Sequence, residues 1–113
     1  MSTARAHIAA GICGFETTVI AQGDVDQAVT FQITSGCAKI RSMAEVIAGL
    51  EPVDAVAEID TRKTGALTSA MRDALSGCCS GCAVPVGIFK SMQVSAGLAL
   101  PRSIRIDVTL GSN

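Results

Sequence analysis

Three thiols stand within five residues at Cys78-Cys79-Ser80-Gly81-Cys82, just ahead of Ala83-Val84-Pro85-Val86, which opens an apolar helical pattern. A thiol placed before a helix N-terminus faces free N–H groups and a partial positive charge, which favours the thiolate, the form that binds metals and attacks electrophiles. Two further cysteines, Cys13 and Cys37, adjoin Gly14 and Gly36 at element boundaries. Cys79-x-x-Cys82 is a two-ligand clip. Joined by Cys13 and Cys37 it makes a four-thiolate set of the kind that holds zinc or an iron–sulfur cluster, with Cys78 competing with Cys79 for the fourth place. Gly14 and Gly36 serve as bends, and they also let backbone amides approach a cluster's sulfides.

Each reading has a plain rival. A free cysteine is often a small buried hydrophobe, and Met43, Met71 and Met92 fill core gaps. His7 reads as a strand-surface residue, and Arg62-Lys63 as part of a solvated connection.

The elements that must position these thiols can be read from periodicity. Residues 4 to 10 form a short strand with Ala4, Ala6 and Ile8 on one face and Arg5 and His7 on the other. Gly11 to Gly14 bend, Phe15 to Ala21 form a second strand, and Gly23-Asp24 turn into a third, Gln27 to Thr34. Cys37 then precedes a helix over 38–48, where Ile40, Met43, Ala44 and Ile47 share a face and Gly49 marks the end. Residues 53–59 read as a short helix packing through Val53, Val56 and Ile59, and Thr61 to Thr64 as a surface connection. Thr64 or a neighbour caps a helix running to Leu75, with Leu67, Ala70, Met71 and Ala74 inward. A last helix, through about Ala96, packs through Val86, Phe89, Met92 or Gln93, and Ala96. Ser103 to Leu110 alternates most cleanly of all, with Ile104, Ile106, Val108 and Leu110 inward. The expected fold is α+β, in the order β-β-β-α-α-α-β, a mostly antiparallel sheet with helices packed on one face. One end of that sheet then gathers all the cysteines.

Composition narrows the function. The 113 residues are 49% apolar and 17% charged, which fits one folded domain spanning residues 1–113. Tryptophan and tyrosine are absent and the net charge is −1, so neither stacking platforms nor a basic footprint suggests nucleic acid. No secretory leader or membrane span is expected, and the chain reads as cytoplasmic, where an odd set of five cysteines points to metal or thiol chemistry before disulfides. Ser/His/Asp arrangements, paired carboxylates and phosphate loops are missing, so a binding protein is expected over a classical enzyme.

The stretch from Cys13-Gly14 through Phe31-Gln32-Ile33-Thr34-Ser35-Gly36-Cys37-Ala38 and Ala44-Glu45-Val46-Ile47-Ala48-Gly49 to Val53-Asp54-Ala55 resembles the U-type scaffold proteins of iron–sulfur cluster assembly. The likeness covers roughly residues 12 to 95. It implies a scaffold-like α+β fold, ligand roles for Cys13, Cys37 and Cys82, and a protein partner in cluster or sulfur transfer. Phe15 replaces the scaffold's aspartate, its histidine beside the third cysteine is missing, and Lys39-Ile40 replaces a small-residue run. These departures count against donation of a labile cluster, and a fourth thiol from Cys79 or Cys78 implies a more permanent one. The pattern Gly11-Ile12-Cys13-Gly14-Phe15 and Ala96-Gly97-Leu98-Ala99-Leu100-Pro101 also resembles a family of small uncharacterised proteins of anaerobic prokaryotes, which implies an oxygen-poor setting.

The expected function is therefore iron–sulfur cluster or other thiolate-metal binding, as scaffold or carrier, with a homo-oligomer possible. The first alternative is a thiol or persulfide sulfur carrier, or redox protein, with Cys82 as nucleophile and Cys79 as resolving thiol. The second is a structural zinc domain.

Overall fold

The computed structural model describes residues 2–60 and 62–111, with the side chain of Cys78 outside that description. Three strands of eight residues come first: β1 (Ser2–Ala9), β2 (Glu16–Gly23) and β3 (Ala28–Ser35). They form an antiparallel meander, with β1 paired to β2 from Ser2↔Gly23 to Ala9↔Glu16 and β2 to β3 from Thr17↔Ser35 to Gly23↔Val29. Helix α1 (Ala38–Leu50) follows, then β4 (Val53–Asp54), which pairs with β3 at Val29 and Ala28. Helices α2 (Ala55–Glu58) and α3 (Ala66–Ala74), a 3-10 turn (Gly77–Gly81) and α4 (Val84–Ser95) complete the order. The fold is thus α+β, an open antiparallel sheet in the order β1-β2-β3-β4 with four helices.

Alternation decides which face the helices cover. Ala4, Val19, Ala21 and Val29 are buried on one face, while Arg5, Gln22, Thr30 and Gln32 on the other are exposed. Helix α4 lies over β1 and β2, α1 over β3, and α3 packs on α1. Their inner faces supply Ile40, Met43 and Ile47, Leu67 and Met71, and Val84, Ile88 and Met92.

Several local expectations change. Helix α1 runs through Gly49 to Leu50 and ends at Glu51, whose carboxylate accepts the Phe31 N–H at 2.8 Å and so occupies the β3 edge beyond β4. Val53-Asp54 is strand and not helix; the Asp54 carboxylate then caps α2 by accepting from Val56 and Ala57 N–H. Val56, expected inward, is exposed. Helix α3 starts after Gly65 and not at a threonine cap, because the Glu58 carboxylate accepts the Leu67 N–H at 3.2 Å. Thr61 lies outside the described residues, whereas Arg62, Lys63 and Thr64 are exposed as a surface connection should be.

On α4 the expected Phe89, Met92 and Ala96 face the core, whereas Val86 is exposed and Gly87, Ser91 and Ser95 turn toward the sheet. A Cβ on Gly87 would stand 2.6 Å from Ile8 Cδ1, and one on Gly23 would collide with the Ser95 carbonyl, so small residues permit close helix-on-sheet contact. The buried serine hydroxyls satisfy themselves on their own helix, Ser91 donating to the Gly87 carbonyl and Ser95 to the Met92 carbonyl.

The largest correction concerns Ser103–Leu110. This stretch is not in the sheet: it lies exposed with no strand partner among the described residues, and the fourth strand is β4 instead. Period-two alternation reports an extended conformation with one apolar face, but it carries no information about the partner.

Candidate functional site

Independent contacts fix the cysteine-bearing segments at one end of the sheet. The β1–β2 loop, which carries Cys13, leaves after the Ala9↔Glu16 pair, and β3 reaches the same end at Thr17↔Ser35, leading to Gly36-Cys37. Phe15 from the loop packs at Gly36, where a Cβ would lie 3.2 Å from its Cδ1. Helix α4 runs opposite to β1, its Gly87 beside Ile8 near this end and its Ser95 beside Gly23 at the other, so Cys82 is at the thiol end too. Ala38 and Lys39 at the start of α1 share a groove with Asp73 and Ala74 at the end of α3, which brings the Gly77–Gly81 turn to the same rim.

Each segment is held locally. In the β1–β2 loop Gly11 (φ 96°) and Gly14 (φ 75°) adopt left-handed conformations that other residues avoid, closed by Gly14 N–H to the Gly11 carbonyl at 2.9 Å. Cys13 at this tip is exposed. Cys37 is the N-cap of α1, and its N–H donates to Ser35 Oγ at 3.1 Å, which also accepts from the buried Thr17 hydroxyl at 2.8 Å. The Arg41 guanidinium donates to the Ser35 and Gly36 carbonyls at 3.2 and 2.9 Å, pinning the chain just before Cys37. Cys79 lies in the 3-10 turn and Cys82 caps its end in an extended conformation, the Cys82 N–H donating to the Cys79 carbonyl at 3.0 Å. Both are partly buried against the core.

Among the described residues, no three histidine, cysteine, aspartate or glutamate side chains stand together in a group able to hold a metal ion. Cys78, the alternative fourth ligand, lies outside the described residues as a side chain. The thiols at the rim are soft donors, and Cys79 and Cys82 are the two joined by a backbone hydrogen bond. The two glycines separate: Gly14 supplies backbone curvature, whereas the space at Gly36 is taken by the Phe15 ring.

His7 sits on the uncovered sheet face as a surface residue, its ring nitrogens against Glu16 Oε1 at 2.7 Å and Thr18 Oγ1 at 3.3 Å. Arg41 and Ser35 escaped the sequence reading as rim residues. The spacing of Arg41 four residues after Cys37, one helical turn, was the available signal.

Among the described residues no helix is long and apolar enough to cross a membrane. A family model described as a family of unknown function (DUF6951) matches residues 4–108. No curated protein and no solved structure matches the chain.

Proposed function

The chain belongs to that family, and from this premise we propose that its rim thiols bind a soft metal centre, an iron–sulfur cluster in the first instance and zinc as the alternative. The observation that carries the reading is the arrival of Cys13, Cys37, Cys79 and Cys82 at one end of the sheet through three separate pieces of backbone. Cys79 and Cys82 are the fixed half of the site. Cys37 is the third ligand, held at a helix start by Ser35 and Arg41, and Cys13 is the outermost, carried by a glycine-rich tip. The N-termini of α1 and α4 also lie at this end and favour an anionic thiolate group. Such a centre would be handed to, or received from, a protein partner that docks on the rim, where Ile12 and Phe15 are exposed.

Anaerobic purification followed by iron, sulfide and zinc analysis and visible spectroscopy tests this. A coloured, iron- and sulfide-containing protein, or stoichiometric zinc, is expected, with Cys79→Ser and Cys82→Ser losing most of the metal. A colourless protein free of both metals after reconstitution would reject it.

The second reading, a thiol or sulfur carrier using Cys82 and Cys79, is favoured by the backbone hydrogen bond that joins those two residues while no three metal-ligand side chains group together among the described residues. It predicts that one of them alkylates far faster than Cys13 and Cys37. Uniform slow labelling would exclude it.

A further inference from the structure

Two unmatched edges in this molecule have the same length and complementary patterns. Strand β1 pairs with β2 on one side only, so the other side of Ser2–Ala9 presents unpaired N–H and C=O groups along eight residues. An open edge of this kind is a template for another strand. The stretch Ser103–Leu110 has the alternation of a strand and no strand partner among the described residues. Its Arg105 Nε donates to Asp107 Oδ2 at 2.9 Å, which places these two charges on one side. The apolar residues Ile104, Ile106, Val108 and Leu110 are the alternating set.

We propose that the β1 edge is completed by Ser103–Leu110 of a second copy of the chain, the two copies exchanging these segments about a twofold axis. The stretch starts in the right place, since Pro101 to Ile106 and Arg5 to Ala9 flank one groove of about 900 Å³. It then leaves its own subunit: relative exposure rises from 52% at Ile104 through 67% at Ile106 and 88% at Val108 to 99% at Leu110. A segment docked along the whole of its own β1 would keep its apolar side chains covered through to Leu110. Four exposed apolar side chains in alternation require a cover, and the identical tail and edge of a second copy provide it reciprocally, as a twofold interface demands.

The two faces match as well. Laid along β1, the apolar residues of the incoming strand extend the row Ala4, Ala6, Ile8 and cover exposed Val86 on α4, which lines the same groove. Its polar side brings the Arg105–Asp107 pair, of no net charge, to the polar face that carries Arg5 and His7. Each exchange turns a four-stranded sheet into a five-stranded one and covers the eight-residue edge of β1.

Light scattering on the eluting full chain tests the exchange; a mass twice the 11.5 kDa of one chain is expected. Ile106→Pro, which removes a ladder N–H, and Val108→Asp should each halve that mass with a small loss of strand signal in far-UV circular dichroism and the helical signal kept, because the helices and the four-stranded sheet of each subunit stay in place. Isotope-filtered NMR on a mixture of labelled and unlabelled copies should show contacts from Ile106 of one copy to β1 of the other. A wild-type monomer, a dimer unaffected by both substitutions, or contacts between this segment and β1 that arise only within one chain would each overturn the proposal.

Discussion

Ser35 joins the core to the rim through a single hydroxyl. It accepts from buried Thr17 and from the Cys37 N–H, so Ser35→Ala strands two donors. A loss of about 1–3 kcal/mol in urea unfolding is expected, with faster alkylation of Cys37 as its backbone loosens. Gly87→Ala should be costly for a different reason. The added methyl meets Ile8 side-chain carbons at 2.6 Å, and forcing α4 off the sheet should cost about 1–3 kcal/mol, readable in the same unfolding experiment. On the surface, the hydrogen-bonding Arg62 guanidinium holds the Asp60 carboxyl below its ordinary range. Because the folded-state value is depressed, the stabilisation is present above the ordinary carboxylate pKa and is lost as pH falls through the folded value. Arg62→Ala should raise the Asp60 value part of the way back toward the ordinary range in an NMR titration, because the backbone N–H of residue 62 still donates to Asp60 Oδ1. Residue types were the most legible part of the site: cysteines beside glycines announced themselves. The hydroxyl and guanidinium that hold Cys37 did not, since serine and arginine are common everywhere and only geometry gives them a role.

At the scale of elements, period-two and helical patterns located the three long strands, α1, α3 and α4 to within a few residues. What they missed has a common physical origin. Strand β4 is two residues long, too short for any periodicity, and it exists because β3 offers an edge and Asp54 starts the next helix. Asp54→Ala should remove the cap from α2 and cost about 1 kcal/mol, seen as a lowered midpoint of thermal unfolding. Hydrophobicity marks Phe89, Met92 and Ala96 as the inner face of α4 but not the contact with the sheet, which is made by glycine and by serines whose hydroxyls are satisfied within the helix. Ser103–Leu110 alternates like a strand, yet it lies exposed and outside the sheet. Sequence patterning specifies the faces of an element, and the partner is a property of the assembly.

For the molecule as a whole, the antiparallel meander gives the sheet two unlike ends. The loop after β1, the end of β3, the end of α3 and the start of α4 meet at one, whereas Ser2 and Gly23 pair beside Ser95 at the other. That the cysteine-bearing segments reach one end of the sheet is legible from element order, whereas the lack of a three-ligand group among the described residues is not, because it depends on loop conformations of a few residues. This polarity has a practical outcome for handling the protein. Immobilised on a support through its amino-terminal side, the molecule would stand with its sulfurs pointing away from the matrix, so an interacting protein drawn from solution would meet them first, unobstructed by the anchor.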